Sequence, residues 1–178
     1  IDSFRKNVMS DWDLLENIRK KWREKIFIQF VALTPLEFWQ THDGELLAQR
    51  VASNGDLLGG VVAPPFNKKK TFKSLLHLVK LANQLNCDID LHIDEAQFCP
   101  AEGLKILLDV LKHVKNEISI TCSHLSSMSL LREKQIAYLA TKMSENKLNV
   151  VALPLTNAWL LGRKDRSSLI KRPLAPIS

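Results

Sequence analysis

The sequence predicts an α/β fold in which parallel strands alternate with helices. Five short apolar runs rich in β-branched residues begin at intervals of roughly 30 residues, the length of one strand–helix unit. The segments between them carry apolar residues at the i, i+3, i+4 spacing of amphipathic helices. The chain has 178 residues, 46% of them hydrophobic, which suits one globular domain with a substantial core.

The five predicted strands are short runs typical of strands buried in a parallel sheet. They comprise residues 26–33, 58–63, 88–93, 118–122 and 149–153.

Four amphipathic helices are predicted, one before the first of these strands and three between them, and residues 44–53 form a shorter, weaker one. Three helix starts are indicated, at Ser10, Thr71 and Pro100. The apolar faces consist of Trp12, Leu15, Ile18 and Trp22; Phe72, Leu75, Leu76 and Val79; Leu104, Leu107, Leu108, Leu111 and Val114; and Ile136, Leu139, Ala140 and Met143.

Two architectures fit this alternation: an open doubly wound sheet and part of a (β/α)₈ barrel. Five strands suit an open sheet, whereas a full barrel needs about 250 residues. No glycine-rich loop follows the first predicted strand, where a dinucleotide-binding sheet would place one. In both architectures, ligands bind at the carboxyl ends of the strands.

Two histidines stand at the ends of adjacent predicted strands. They are His92 and His124, and Glu95 follows His92 by three residues. Neutral imidazoles are common ligands of Zn and Fe, and a neighbouring carboxylate can carry protons. The alternative is that these residues only form hydrogen bonds in loops. His77 and His113 lie within helical patterns and His42 in a polar stretch, so a structural or solvated role is favoured for all three.

Several other classes of site lack their motifs. The chain contains no G-x-S-x-G nucleophile elbow, no phosphate-binding P-loop and no H-E-x-x-H metal motif. The three cysteines lack a clear metal-ligand spacing, and Cys122 is interpreted as a small buried apolar residue. The net charge of +6 is dispersed along the chain, and residues 68–70, all lysine, are interpreted as a solvated face.

Three stretches together resemble a known family. Residues 90–95 read D-L-H-I-D-E, residues 121–124 read T-C-S-H, and residues 153–163 read L-P-L-T-N-A-W-L-L-G-R. They resemble cytosine deaminase and its relatives in the amidohydrolase superfamily, including N-isopropylammelide amidohydrolase, and the similarity extends from about Trp22 to the end. The resemblance implies a TIM-type parallel (β/α)₈ barrel. Residues 1–178 would form a partial catalytic domain of about strands three to seven, without the first and last strands.

The resemblance also implies a reaction and roles for individual residues. The reaction is metal-dependent hydrolytic removal of an amino or alkylamino group from a nitrogen heterocycle such as cytosine or an aminotriazine. His92 corresponds to a ligand of one divalent ion, Zn or Fe. Glu95 corresponds to the acid that moves protons between the attacking water and the ring nitrogen, and His124 to the residue that orients the attacking oxygen.

The chain also departs from the family pattern. The family's H-x-H pair on the first strand and its aspartate after the eighth are not in this sequence. We therefore expect this chain alone to hold metal weakly or not at all. Leu36 stands in the region where the family's cytosine enzymes present a glutamine, which leaves other rings open, triazines included. Leu36 and Asn157 are the candidates for substrate binding.

The expected partner is a small heterocyclic amine, with neither nucleic acid nor membrane involved, and we expect a homo-oligomer. The longest apolar runs are too short to span a membrane, and the small, odd number of cysteines favours a reducing cytoplasm. The alternative function is that of a truncated, non-catalytic α/β domain acting in ligand binding or assembly.

Overall fold

The sheet is parallel and its strands are adjacent in chain order. The structure is a computed structural model, which describes residue 3, residues 7–156 and residues 174–176. The predicted parallel sheet with strands in chain order is thus confirmed, and the described strands show none of the order reversal that defines a doubly wound sheet. The strands are β1 (Val31–Pro35), β2 (Leu57–Val62), β3 (Ile89–Ile93), β4 (Ile120–His124) and β5 (Leu148–Val151).

Helices follow the strands and cover one face of the sheet. Alternate side chains along the strands point to this face and are fully buried, as Leu58, Leu91 and Cys122 show. They share a core with helix residues such as Leu78 and Leu107. The helices are α1 (Val8–Trp22), α2 (His42–Ser53), α3 (Lys68–Leu85), α4 (Glu102–Val110) and α5 (Glu133–Glu145), with short 3₁₀ helices η1 (Leu36–Gln40) and η2 (Ser126–Leu130).

The opposite face of the sheet is more open. Strand register places Val61, His92, Ser123 and Val151 in one row across β2 to β5. Val61 is 46% exposed and Val151 43%, whereas the neighbouring positions of opposite parity on β2 to β4 are buried. Ser123 Oγ, in this row, donates a hydrogen bond of 2.8 Å to Oδ1 of Asp90, which lies two residues before His92 on β3. His92 therefore lies on the uncovered face.

Helix α1 is attached to the rest of the fold by an ion-pair network. Arg50 on α2 contacts Asp13 at 2.6 Å and Glu16 at 2.7 Å, both on α1. The hydrogen bond from Arg50 is the largest of the effects that hold the pKa of Glu16 below its usual value. The predicted apolar face of α1 is buried only near its start: Trp12 is fully buried, but Trp22 is 42% exposed.

The first predicted strand is wrong at its start, whereas the other four agree with the structure within two residues. β1 begins at Val31, because that residue pairs with Leu57, the first residue of β2. Residues 26–30 precede this ladder and form no strand, and Phe27 is 92% exposed.

The predicted helix starts are also displaced. α1 begins at Val8 rather than Ser10. α3 begins at Lys68 rather than Thr71, because Asn67 Oδ1 accepts a hydrogen bond from Lys70 N and caps the helix. The lysine run therefore forms the first turn of α3. α4 begins at Glu102 rather than Pro100. None of the helices in the described part of the chain is long and apolar enough to cross a membrane.

Candidate metal and proton-transfer site

His92 and His124 meet at the carboxyl ends of β3 and β4. His124 Nε2 lies 3.3 Å from His92 Nδ1, and the ring centroids are 4.9 Å apart at an interplanar angle of 61°. A contact of this length allows one imidazole to donate to the other, with the tautomers deciding the direction. The two strand-end histidines of the sequence analysis are thus direct neighbours.

Backbone conformation brings His124 to this position. Register pairs His124 with Ile93, whose side chain is fully buried beneath the helices, so plain strand alternation would direct His124 to that covered side. Instead His124 adopts φ +80°, and Leu125 follows at φ +48°. A left-handed conformation is uncommon for residues other than glycine, and here it ends the strand with the His124 ring against His92.

Glu95 completes the cluster. Its Oε1 lies 3.4 Å from His124 Nδ1, which is too long for a strong hydrogen bond. The same Oε1 is buried and has no hydrogen-bond partner among the residues that the structure describes. An unsatisfied buried carboxylate oxygen is costly unless a ligand or an ion completes its contacts.

These donors fit a divalent metal ion. One ligand atom from each of His92, Glu95 and His124 lies within 4.8 Å of the others. Burial and the neighbouring His124 lower the pKa of His92, so its imidazole is neutral at neutral pH and can act as a ligand. Two imidazoles and a carboxylate are a donor set that Zn²⁺ and Fe²⁺ accept.

Asp94, a residue that the sequence pattern does not single out, joins the segments around this cluster. Its carboxylate is fully buried and accepts hydrogen bonds from Gly103 N at 2.9 Å and Leu104 N at 2.8 Å, at the start of α4. Burial raises the pKa of Asp94 to about 6, against the effect of these two hydrogen bonds. Helix capping by a residue so distant in sequence leaves no local signal, although an aspartate between H-x and E would justify a closer look.

The carboxyl ends of the strands form a rim, which also borders a cavity of about 430 Å³ between the ends of β1 and β2; we call it the rim cavity. Leu36 lines it but is only 5% exposed, because it packs into the core beside Gly60. Thr34 also lines the cavity, and its buried Oγ1 has no hydrogen-bond partner among the described residues. Glu37 and Lys70, paired at 3.0 Å, add charge to the lining.

Asn157 and the rest of its motif, residues 157–163, lie outside the described residues. The other histidines and Cys122 do not join the site. His77 contacts the backbone oxygen of Trp39 at 3.0 Å, and His113 packs edge-on against Phe72. Cys122 is fully buried, which agrees with its interpretation as a core residue.

The chain is similar in sequence or in fold to several known proteins. The chain is 28% identical over 167 residues to a pterin deaminase of Rhizobium rhizogenes, covering 92% of this chain and 37% of that protein. A 5-methylcytosine deaminase of Klebsiella pneumoniae matches with a TM-score of 0.75 and 22% identity, over 98% of this chain and 42% of the other. An N-isopropylammelide isopropylaminohydrolase of Burkholderia multivorans matches with a TM-score of 0.61 and 23% identity, over 78% of this chain and 36% of that protein.

The chain thus spans less than half the length of these proteins, and no family model matches it. The structural matches show a shared fold, and the pterin deaminase shows a relationship in sequence. The resemblance to cytosine deaminase and its amidohydrolase relatives that the motifs predict is confirmed by these comparisons.

Proposed function

We propose that this chain is part of the (β/α)₈ catalytic domain of a metal-dependent deaminase that hydrolyses C–N bonds of nitrogen heterocycles. The observation that carries the proposal is the cluster of His92, Glu95 and His124, whose ligand atoms lie within 4.8 Å of one another at adjacent strand ends. The named activities of the related and structurally similar proteins support it, because all three are deaminases or aminohydrolases.

In this proposal His92 holds one divalent ion, either Zn²⁺ or Fe²⁺. When bound, such an ion supplies Lewis-acid activation of water at neutral pH. The neutral imidazole of His92 and the unsatisfied Glu95 Oε1 are the features of the cluster that suit an ion and its water.

Glu95 acts as the proton carrier. Water adds its oxygen to the ring carbon that bears the amino group, and Glu95 accepts the proton that the water loses. Glu95 then gives this proton to the ring nitrogen, whose bond to that carbon has lost its double-bond character. The remaining proton of the added hydroxyl then passes to the amino group. The C–N bond breaks with its electron pair leaving on nitrogen, so ammonia or an amine departs and the C–O bond becomes a carbonyl.

His124 orients the attacking oxygen in this proposal. Its Nε2 faces His92 and its Nδ1 faces Glu95, so it contacts both the metal ligand and the proton carrier. A donor fixed in this way can stabilise negative charge that develops on the oxygen during attack. His124 is only 2% exposed, and this burial keeps water from competing for these contacts.

The heterocycle binds, we propose, against the rim cavity between β1 and β2. Val61, which lines the cavity, lies beside His92 in the strand register, so the two features are adjacent. Leu36 offers an apolar wall instead of the paired hydrogen bonds of an amide. This favours recognition of a ring by shape and apolar contact over recognition by an amide side chain.

Ammonia or amine release by the native protein that contains residues 1–178 tests the proposal. The protein is stripped with a chelator, reloaded with Zn²⁺ or Fe²⁺, and assayed with pterin, cytosine and an N-alkyl aminotriazine. We expect turnover of at least one substrate, loss of turnover on stripping and recovery on reloading. His92→Ala should lose metal and turnover together, whereas the matched control His113→Ala should keep both.

Either of two results would contradict the proposal. One is the absence of turnover with every substrate by protein that carries stoichiometric metal, which would favour the non-catalytic alternative. The other is full turnover in His92→Ala.

A further inference from the structure

We propose that Asp94 is the positioning residue that sets the distance between Glu95 and His124. Its catalytic meaning rests on the proposed function, because Glu95 and His124 act in catalysis only there. The structural part of the inference rests on five hydrogen bonds that join Asp94 to three other segments of the chain.

The first connections fix the chain that carries Glu95. Asp94 N donates to Val62 O at 3.0 Å, which ties the residue to the end of β2. The two oxygens of its carboxylate accept from Gly103 N and Leu104 N, which ties it to the first turn of α4. Glu95, the next residue, is thereby held against both elements.

The remaining connections fix the chain that follows His124. The carbonyl oxygen of Asp94 accepts from Ser127 N and from Ser126 Oγ, both at 3.1 Å. These serines begin η2, two and three residues after His124, and both are fully buried. Asp94 therefore fixes the segment after β3, which carries Glu95, relative to the start of η2, which follows His124.

The chemistry of the position suits aspartate. Its φ of +57° is left-handed, a conformation that aspartate and asparagine adopt more readily than other residues with side chains. The backbone N–H groups of Gly103 and Leu104, in the first turn of α4, need acceptors, and the two carboxylate oxygens supply one to each. Asparagine at this position would keep the backbone preference but turn an NH₂ group toward one of those N–H groups.

The Asp94 carboxylate is closely surrounded. A Cβ added at Gly103 would lie 3.0 Å from Asp94 Oδ1 and 3.0 Å from Val62 Cγ1, so little space separates Gly103 from these groups. We therefore expect a change in the direction of the Asp94 side chain to displace the backbone that carries Glu95.

The test compares Asp94→Asn with Thr41→Ala, in crystal structures and in turnover by the native protein containing residues 1–178. Thr41 caps α2 by accepting from Gly44 N at 3.1 Å, and it is the matched loss of a helix cap away from the cluster. We expect both variants to lower the melting temperature. Only Asp94→Asn should lengthen the contact between Glu95 Oε1 and His124 Nδ1, by about 1 Å, and lower kcat about 10- to 100-fold, with KM within about threefold.

Ser126→Ala provides a milder variant if Asp94→Asn does not fold, because it removes one hydroxyl donor to the Asp94 carbonyl. We expect the same displacement at smaller size and a kcat lowered about threefold or more. An unchanged separation between Glu95 and His124 in the variant that folds would overturn the inference. So would an equal loss of kcat in Thr41→Ala.

The structural readout separates this inference from the proposed function. If the separation lengthens in the variant while neither wild type nor variant deaminates any substrate, Asp94 sets the geometry and the proposed function fails. If wild-type protein deaminates and the variant keeps both its separation and its kcat, the proposed function stands and the inference fails.

Discussion

Replacing Gly44 by alanine should destabilise the fold strongly, because the backbone of η1 occupies the space that a side chain would need. A Cβ built at Gly44 lies 2.0 Å from Phe38 O, 2.8 Å from Phe38 C and 2.9 Å from Trp39 Cα. The shortest of these falls short of ordinary van der Waals contact by more than about 1 Å. Backbone atoms cannot turn away as a side chain can, so η1 must shift as a unit.

The magnitude follows from two opposing effects. Alanine is favoured over glycine within a helix by about 1 kcal/mol, whereas overpacking of a buried contact costs about 3 kcal/mol or more when backbone must move. Movement of η1 also disturbs the fully buried Trp39, whose Nε1 donates to Gly59 O at 2.8 Å. We expect a net loss of about 2–3 kcal/mol, which lowers the melting temperature by about 4–12 °C.

Urea and thermal unfolding of Gly44→Ala measure this loss directly. The control is Gln49→Ala on the exposed side of the same helix, which should change stability by no more than about 0.5 kcal/mol. A loss below about 1 kcal/mol for Gly44→Ala would refute the reasoning, since η1 would then be free to move. The rim cavity would in that case not have a rigid wall at Leu36.

Two further predictions concern titrating groups. In the native protein at pH 8, a disulfide reagent should label Cys99 quickly but not Cys122. Thiolate is the reactive form of cysteine, and burial raises the pKa of Cys122 to about 12. Rapid labelling of Cys122 would contradict its burial in the core. The hydrogen bond from Arg50 lowers the folded pKa of Glu16, so this carboxylate stabilises the fold above the ordinary glutamate pKa of about 4.3 and loses that effect as pH falls through the folded value. The difference in unfolding free energy between wild type and Glu16→Gln should therefore be below about 1 kcal/mol near neutrality and shrink toward zero in acid, and a difference that grew on acidification would show that the sign is wrong.

The order and positions of the strands could be predicted because buried strands are short apolar runs and their spacing repeats. The apolar pattern predicts the start of the first strand too early, since residues 26–30 are as apolar as a strand but precede the ladder with β2, which begins at the pair Val31 and Leu57. The helix starts were displaced for a related reason. Side-chain caps such as Asn67 decide where a helix begins, and the apolar pattern marks only where it is buried.

The candidate site was partly predictable. Parallel strands place their carboxyl ends at one edge, so His92 and His124 had to lie near each other. The direction of the His124 ring was not predictable, because it depends on a left-handed backbone conformation that strand alternation does not include. The role of Asp94 was hidden for a different reason: its carboxylate bonds to backbone groups nine and ten residues away, whose positions only the fold defines.

The turnover of Glu95→Gln tests the central claim most directly. Glutamine keeps the size and most hydrogen bonds of Glu95 but cannot carry a proton, so a general acid–base role predicts a loss in kcat of about 10²–10⁴. Metal content, measured on the same samples, should remain near that of wild type, because the proposed function assigns the ion to His92 and only proton transfer to Glu95. Near-wild-type turnover of the best substrate by metal-loaded Glu95→Gln would contradict the account.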